Sequence, residues 1–292
     1  MQRLLYIALS LALLNSCARP IANFAAQEEA ARAATPISFS NQSEKAESYL
    51  WEFGDGQTSK DSIPEHRYMA SGTYTVKLTA FDAKGKTGTK EKEVTIVPPD
   101  RCLVSIETPE GNMLAEIYDR TPLHQDNFVK LVEQGFYDSL LFHRVIDGFM
   151  IQGGDPDSRG ANPGAMLGSG GPGYTIQAEF VDSLAHVKGA LAAARTNNPQ
   201  KRSSGSQFYI VQGRATKAND LDAKEGRYGF RYPSYIREEY MELGGTPFLD
   251  QEYTVFGKVI EGLDVIDRIA AVRTSPQNRP ENDVWMVIKL IR

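Results

Sequence analysis

Histidine and cysteine are scarce in this chain of 292 residues, with four of the first and two of the second. His66, His124, His143 and His186 are scattered, and neither Cys17 nor Cys102 sits in a Cys-x-x-Cys or Cys/His spacing. No metal site is expected from such a set, and no cofactor is called for. Cys102 reads as a lone, half-buried thiol at the start of a strand. The Gly-rich run from Gly153 to Gly173 is not followed by Gly-Lys-Ser/Thr, which argues against a phosphate-binding loop. Concentrated positive charge is missing too. The net charge is -5 and no long Lys/Arg cluster stands out. A nucleic-acid partner is therefore not expected, because phosphate binding needs a basic face. Beyond residue 17 no run is long and apolar enough to cross a bilayer. What remains is ordinary globular material, 41% hydrophobic and 24% charged, enough for a core and of a length that suits about two domains. A monomer is the expectation.

The first residues stand apart. Arg3 gives a short positive start, Leu4 to Leu14 an apolar core, and Leu14-Asn15-Ser16-Cys17 follows. This resembles the bacterial lipoprotein signal. The resemblance implies a signal peptide over 1–16, a lipidated Cys17, membrane attachment through that lipid and a place in the cell envelope. Ala18-Arg19 shows no acidic export signal, so a periplasm-facing anchor is expected. Residues 17–34, rich in Ala, Glu and Gln, read as a tether.

Residues 35–98 carry β patterning. Tyr74, Val76, Leu78 and Ala80 alternate with Thr73, Thr75, Lys77 and Thr79, which suits a half-buried strand. Trp51 and Phe53 share one face of another strand, and Gly54-Asp55-Gly56 supplies a turn. Trp51-Glu52-Phe53-Gly54-Asp55-Gly56, Pro64 to Tyr68 and Gly72 to Val76 resemble the PKD domain, which implies an immunoglobulin-like β-sandwich. Such domains act as spacers or as protein- or glycan-binding modules. Trp51 is read as core rather than a sugar platform, and Asp55 as a turn residue rather than a calcium ligand. Pro98-Pro99 makes a stiff joint.

Residues 99–292 show short strands at Leu103–Glu107, Met113–Tyr118 and Val284–Ile291 and helices at Asp126–Gln134 and Leu263–Ala271. That pattern suggests a closed β-barrel capped by two helices. The stretch Phe142-His143-Arg144-Val145-Ile146-Asp147-Gly148-Phe149-Met150-Ile151-Gln152-Gly153-Gly154-Asp155 reads as a hairpin with an Asp-Gly turn. It resembles the signature of cyclophilins, and three further blocks follow in the family's order. These are Gly171 to Tyr174 with Ala178 to Phe180, Gly189 to Ala194 with Gly205 to Ile210, and Phe248 to Asp250 with Val255 to Val259. The fold implied is mainly β: the sandwich followed by a closed eight-stranded barrel with two helices.

The resemblance implies a peptidyl-prolyl cis/trans isomerase acting on Xaa-Pro-containing polypeptides, in this setting a folding catalyst for envelope proteins. Arg144 corresponds to the catalytic arginine. Phe149, Met150, Tyr209 and Leu249 would form the proline pocket, and Gln152 and Gln207 would bind substrate or hold Arg144. Ala193, Ala194 and Arg195 would line the groove, with Phe248 and Tyr253 at the rim. Phe248 and Tyr253 stand where several cyclophilins carry Trp and His, which puts strong cyclosporin binding in doubt but not turnover. A strict ladder across a two-residue Asp147-Gly148 turn puts Arg144 on the face of Phe149 and Ile151, away from Met150 and Gln152. A bulge or strong twist must then reunite them. The stretch 213–247 is longer than the family's usual link, and Ser234–Leu243 within it reads as a helix; the insertion is expected either to fold beside the groove as a lid that tunes access for protein substrates or to be a packed surface addition. The competing reading is a non-catalytic proline-peptide-binding or adhesion module.

Overall fold

The structure, a computed structural model, describes residues 19–27 and 30–292, so Cys17 and the segment 1–16 lie outside the described residues. The chain divides between Pro98 and Pro99 into two units.

In the first unit two sheets enclose one aromatic core. Strands Phe24–Ala26, Pro36–Asn41 and Glu65–Arg67 form one sheet. Ala30–Arg32, Thr87–Val97, Gly72–Phe81, Ser48–Glu52 and Thr58–Ser59 form the other, in that spatial order. The alternation in 73–80 places Val76, Leu78 and Ala80 fully inside. Trp51 packs edge-on against Phe24 with centroids 5.2 Å apart, lies 5.7 Å from Phe39, and donates its indole N–H to the Asp61 carbonyl at 3.0 Å. An indole that is buried with its one donor satisfied is a core residue. Asp55 serves its turn: Oδ1 accepts the Gln57 N–H at 3.0 Å, and Oδ2 lies 2.8 Å from His66 Nε2.

The reading of 17–34 as a tether is corrected for the part described. Phe24 is completely buried, and Ala22, Ala31 and Ala33 are nearly so. Phe24–Ala26 pairs antiparallel with residues 39–41, and Ala30–Arg32 runs parallel to 95–97. Pro20 is itself buried. Its carbonyl passes so close to Gly88 that a Cβ there would lie 2.0 Å from it. The segment reads as polar because one phenylalanine, one proline and a few alanines do its burying. Small side chains let its backbone lie flat on the sandwich.

In the second unit one antiparallel sheet runs Leu140–Leu141, Trp285–Ile291, Cys102–Thr108, Gly111–Ile117, Val255–Glu261, Ala190–Ala193, Phe208–Val211, Met150–Gly153, Arg144–Ile146. Its first and last members are separated in the chain only by Phe142 and His143. A sheet whose two ends are so joined must curl into a barrel. The two end pieces make up one interrupted strand, so eight strand paths surround the core. Ile106, Phe142, Ile151, Leu191, Phe208 and Met286 fill it. Helices α1 (Pro122–Glu133) and α4 (Leu263–Ala270) cap it with Phe128, Leu131, Val265, Ile266 and Ile269.

Helix α1 begins four residues before the expected Asp126. Pro122 occupies its first position, and the Leu123 and His124 N–H groups donate to the Glu179 carboxylate at 3.1 and 3.0 Å. The first amides of a helix lack internal partners, and here a residue distant in sequence supplies them. The stretch 213–247 holds α2 (Ala218–Tyr228), which sequence patterning did not reveal, and α3 (Ser234–Leu243), which it did.

Phe24→Ala should lower the stability of the first unit by about 3–5 kcal/mol, the usual cost of emptying a large aromatic site. Urea unfolding followed by Trp51 fluorescence measures this. An unchanged midpoint would mean that the segment is a leash after all.

Candidate active site

The hairpin that carries the cyclophilin-like signature has a different register from the one expected. Arg144 lies opposite Gln152, Val145 opposite Ile151, and Ile146 opposite Met150. The loop is therefore three residues, Asp147-Gly148-Phe149, closed by a hydrogen bond from the Phe149 N–H to the Ile146 carbonyl at 3.1 Å. Gly148 takes a φ of 71° there, and a Cβ on it would collide with Arg214. Directly opposed residues share a face, so Arg144, Met150 and Gln152 project together. No bulge within the ladder is needed, because the extra loop residue restores the alternation.

These side chains line a cleft together with Phe149, Ala194, Arg195, Tyr209, Leu249 and Tyr253. The apolar wall comes from three places. Met150 and Tyr209 lie on neighbouring strands of the barrel, and Leu249 sits on a short turn over Pro247–Leu249. All three are buried. Tyr253 meets Tyr209 edge to face at 5.9 Å, and the Arg195 guanidinium lies 4.6 Å above the Tyr253 ring while pairing with Glu252 at 3.2 Å.

Arg144 is held by an amide chain. Its Nη1 donates to Gln152 Oε1 at 3.2 Å, and Gln152 Nε2 donates to Gln207 Oε1 at 3.1 Å. Gln207 Nε2 then donates to the carbonyls of Gly168 and Gly170 at 3.0 and 2.7 Å. Each amide is oriented by the next, and the end of the chain is fixed backbone. The Arg144 Nε and Nη2 make no hydrogen bond among the described residues, and the side chain lines the cleft. The Gly-rich strap behind Gln207 is anchored by the buried Asp155, which accepts the Gly168 N–H. Only the glycines hinted at this role in the sequence.

One expected groove residue stands elsewhere. Ala193 points into the barrel core, as alternation along its strand requires once Ala192 and Ala194 face the other way. Gln207 lies behind Gln152 rather than in the cleft, and lines the adjoining groove with Ala194 and Arg195. Phe248 is 63% exposed and stacks on Phe149 with centroids 5.8 Å apart, which makes it rim. No described residue of 213–247 lines the cleft. Among the described residues no group of three His, Cys, Asp or Glu side chains assembles that could hold a metal.

Residues 103–289 match the family model described as cyclophilin type peptidyl-prolyl cis-trans isomerase, and residues 17–96 match that of the PKD domain. A Staphylococcus aureus protein named "Putative peptidyl-prolyl cis-trans isomerase" is 38% identical over 184 residues, covering 62% of this chain and 87% of its own length. A Streptococcus pyogenes protein named "Putative bifunctional phosphatase/peptidyl-prolyl cis-trans isomerase" is also 38% identical over 184 residues, but only 37% of its length is spanned. A cyclophilin type isomerase from Cryptosporidium parvum, solved by crystallography, is 23% identical with a TM-score of 0.48, covering 65% of this chain and 97% of that one.

His143, beside Arg144, is buried with neither ring nitrogen hydrogen-bonded. Burial holds its pKa below the ordinary imidazole value, and also that of His124 despite the pull of Glu179. Below about pH 6.5 the unfolded chain therefore takes up protons that the folded rings refuse. Stability should fall as the pH drops from there toward the depressed folded values, by at most about 1.4 kcal/mol per pH unit for each ring. His143→Gln should flatten the curve of Tm against pH below about 6.5. Parallel curves for mutant and wild type would remove His143 from the account.

Proposed function

The chain belongs to the cyclophilin-type peptidyl-prolyl cis-trans isomerases and carries a PKD domain ahead of that fold, and on this premise we propose that it is a folding catalyst of the bacterial envelope that turns Xaa-Pro bonds at Arg144. The observation that supports this most is the Arg144 guanidinium, oriented by Gln152 and set in one cleft with Met150, Tyr209 and Leu249, with no carboxylate in the lining.

Rotation about a peptide bond is opposed by a barrier of about 18–20 kcal/mol, because planarity preserves amide resonance. In the twisted transition state the prolyl nitrogen becomes pyramidal and regains a lone pair. A cationic N–H donor from Arg144 aimed at that nitrogen binds it better there than in the planar ground state, which is the condition for catalysis. Arginine suits the task because it is always charged and its fork is rigid. Met150, Leu249 and the Tyr209 ring hold the pyrrolidine while the preceding carbonyl swings. Bringing a step of about 10–100 s below a millisecond takes roughly 7 kcal/mol. One charge-assisted hydrogen bond gives about 1.5–3, so fixing the ring must contribute the rest. The chemistry asks for no cofactor.

The envelope setting rests on the signal-like segment ending at Cys17. If Cys17 carries lipid, only Ala18 and Arg19 separate it from the buried Pro20, a reach of at most about 10 Å. The PKD unit would then lie close to the lipid surface and itself be the spacer. Its further role is open to protein or glycan contact.

Arg144→Ala should lose about 10²–10³ in kcat/KM on an Xaa-Pro peptide, with Tm unchanged, in a protease-coupled isomerisation assay. Wild-type turnover in the mutant would overturn the assignment. A wild-type chain that binds such peptides without turning them over would be the clamp of the competing reading. Cys17→Ser should move the protein from the membrane pellet to the soluble fraction, and continued pelleting would discard the lipid anchor.

A further inference from the structure

Behind the cleft lies a buried polar network that the isomerase chemistry does not use. Asp250 follows directly on Leu249 and is almost wholly buried. Its Oδ1 accepts from the His186 backbone N–H at 2.8 Å and lies 2.6 Å from His186 Nδ1. Its Oδ2 accepts from two phenols, Tyr232 at 2.5 Å and Tyr240 at 2.6 Å. Both tyrosines belong to the stretch 213–247, Tyr240 on α3 and Tyr232 just before it. On the far side, His186 Nε2 lies 2.9 Å from the Tyr209 hydroxyl, and the two rings stack. Tyr209 is the cleft wall.

The direction of each bond follows from chemistry. A carboxylate only accepts, so His186 Nδ1 donates to Asp250. In the neutral ring Nε2 is then the acceptor, and Tyr209 donates to it. Burial pushes all three phenols above the ordinary tyrosine pKa, with the charge of Asp250 adding to it, so they remain donors. The Tyr209 hydroxyl is thereby turned away from the cleft, and only its ring is offered to a proline.

We propose that Tyr232 and Tyr240 are positioning residues for the isomerase cleft, acting through Asp250 and His186 on Tyr209. The long insertion is then a brace behind the pocket wall rather than a lid across it. Its helices are fixed to the same place by packing. Tyr232, Ile236, Tyr240 and Leu221 share a buried cluster with Ala185 and Val187, which flank His186. Without the two phenols Oδ2 of Asp250 has no donor in this network, His186 is less firmly held, and the Tyr209 hydroxyl is free to turn and admit water where an apolar ring must sit.

This inference rests on the cleft being the substrate site, and a mutant cycle tests it. Tyr232→Phe with Tyr240→Phe should lower kcat/KM on an Xaa-Pro peptide about fivefold, chiefly through KM, with the tenfold-per-1.4 kcal/mol scale placing this well below the loss expected for Arg144→Ala. In a Tyr209→Phe background the hydroxyl at the end of the chain is gone, and the same pair should cost less than twofold. A merely structural role predicts equal losses in both backgrounds, and that result, or no loss at all, overturns the proposal. If the double variant does not fold, Tyr232→Phe and Tyr240→Phe singly carry the same cycle. If the wild type does not isomerise, the catalytic reading falls, and the cycle is read on peptide Kd. A ¹⁵N NMR signal of His186 Nε2 that shifts on Tyr232→Phe/Tyr240→Phe supports the coupling whatever the activity, and an unmoved signal refutes it.

Discussion

The hydrogen bond between Arg144 and Gln152 depends on the length of one turn. With two loop residues the guanidinium and the amide would point to opposite faces of the hairpin, one into the barrel and one out of it. With three they stand directly opposite each other. A slip of one residue reverses every side chain of a strand, so Gly148 and its positive φ decide whether there is a site at all. The amide chain from Gln152 through Gln207 to the carbonyls of Gly168 and Gly170 then converts that register into a fixed orientation of charge.

Charge and apolarity are divided between layers. The cleft presents the Arg144 and Arg195 guanidinia, with Arg195 already paired to Glu252 and laid on Tyr253. Arg144 alone keeps its outward donors open. Besides the Gln152 amide, its neighbours in the cleft include the Met150 sulfur, rings and aliphatic carbon, beside which a charge interacts more strongly than in water. Asp250, next to Leu249 in the chain, sits behind the cleft wall with both oxygens engaged.

The barrel was readable because its blocks are local. Three strand segments, one hairpin and both capping helices are visible in their own residues, and four motifs come in the family's order. The failures were mostly long-range, with Ala193 the local exception. Nothing near Pro122 announces that Glu179 will supply partners for its first amides, so the sequence pattern alone puts the start of α1 too late. Ala193 looked like a groove residue because its neighbours are, yet a single step along a strand reverses its direction. Residues 19–34 resembled a leash because their burial rests on Phe24 and on alanines, whose weak signal becomes structure only against a partner sheet. The turn at Asp147-Gly148 was seen, but whether Phe149 belongs to the loop or the ladder is settled by the strand next door, where Gln212 and Gly213 donate to its carbonyl.

Asp250 shows why such a network uses phenols. A buried carboxylate loses its hydration and must recover it from donors. An arginine or lysine partner would do so, but a second buried ion carries its own desolvation cost of several kcal/mol. It would also place a competing cation behind the wall that Arg144 faces. Two tyrosines and one imidazole give the oxygens donors without importing charge, and their rings add apolar area to the cluster around Leu221 and Ile236. Rings of this size have two torsions to fix, so they are held at a smaller entropy cost than long cationic chains. The same residue type that fills the insertion's core therefore also sets the back of the pocket. A packed helix pair and an oriented pocket wall are then two results of one arrangement.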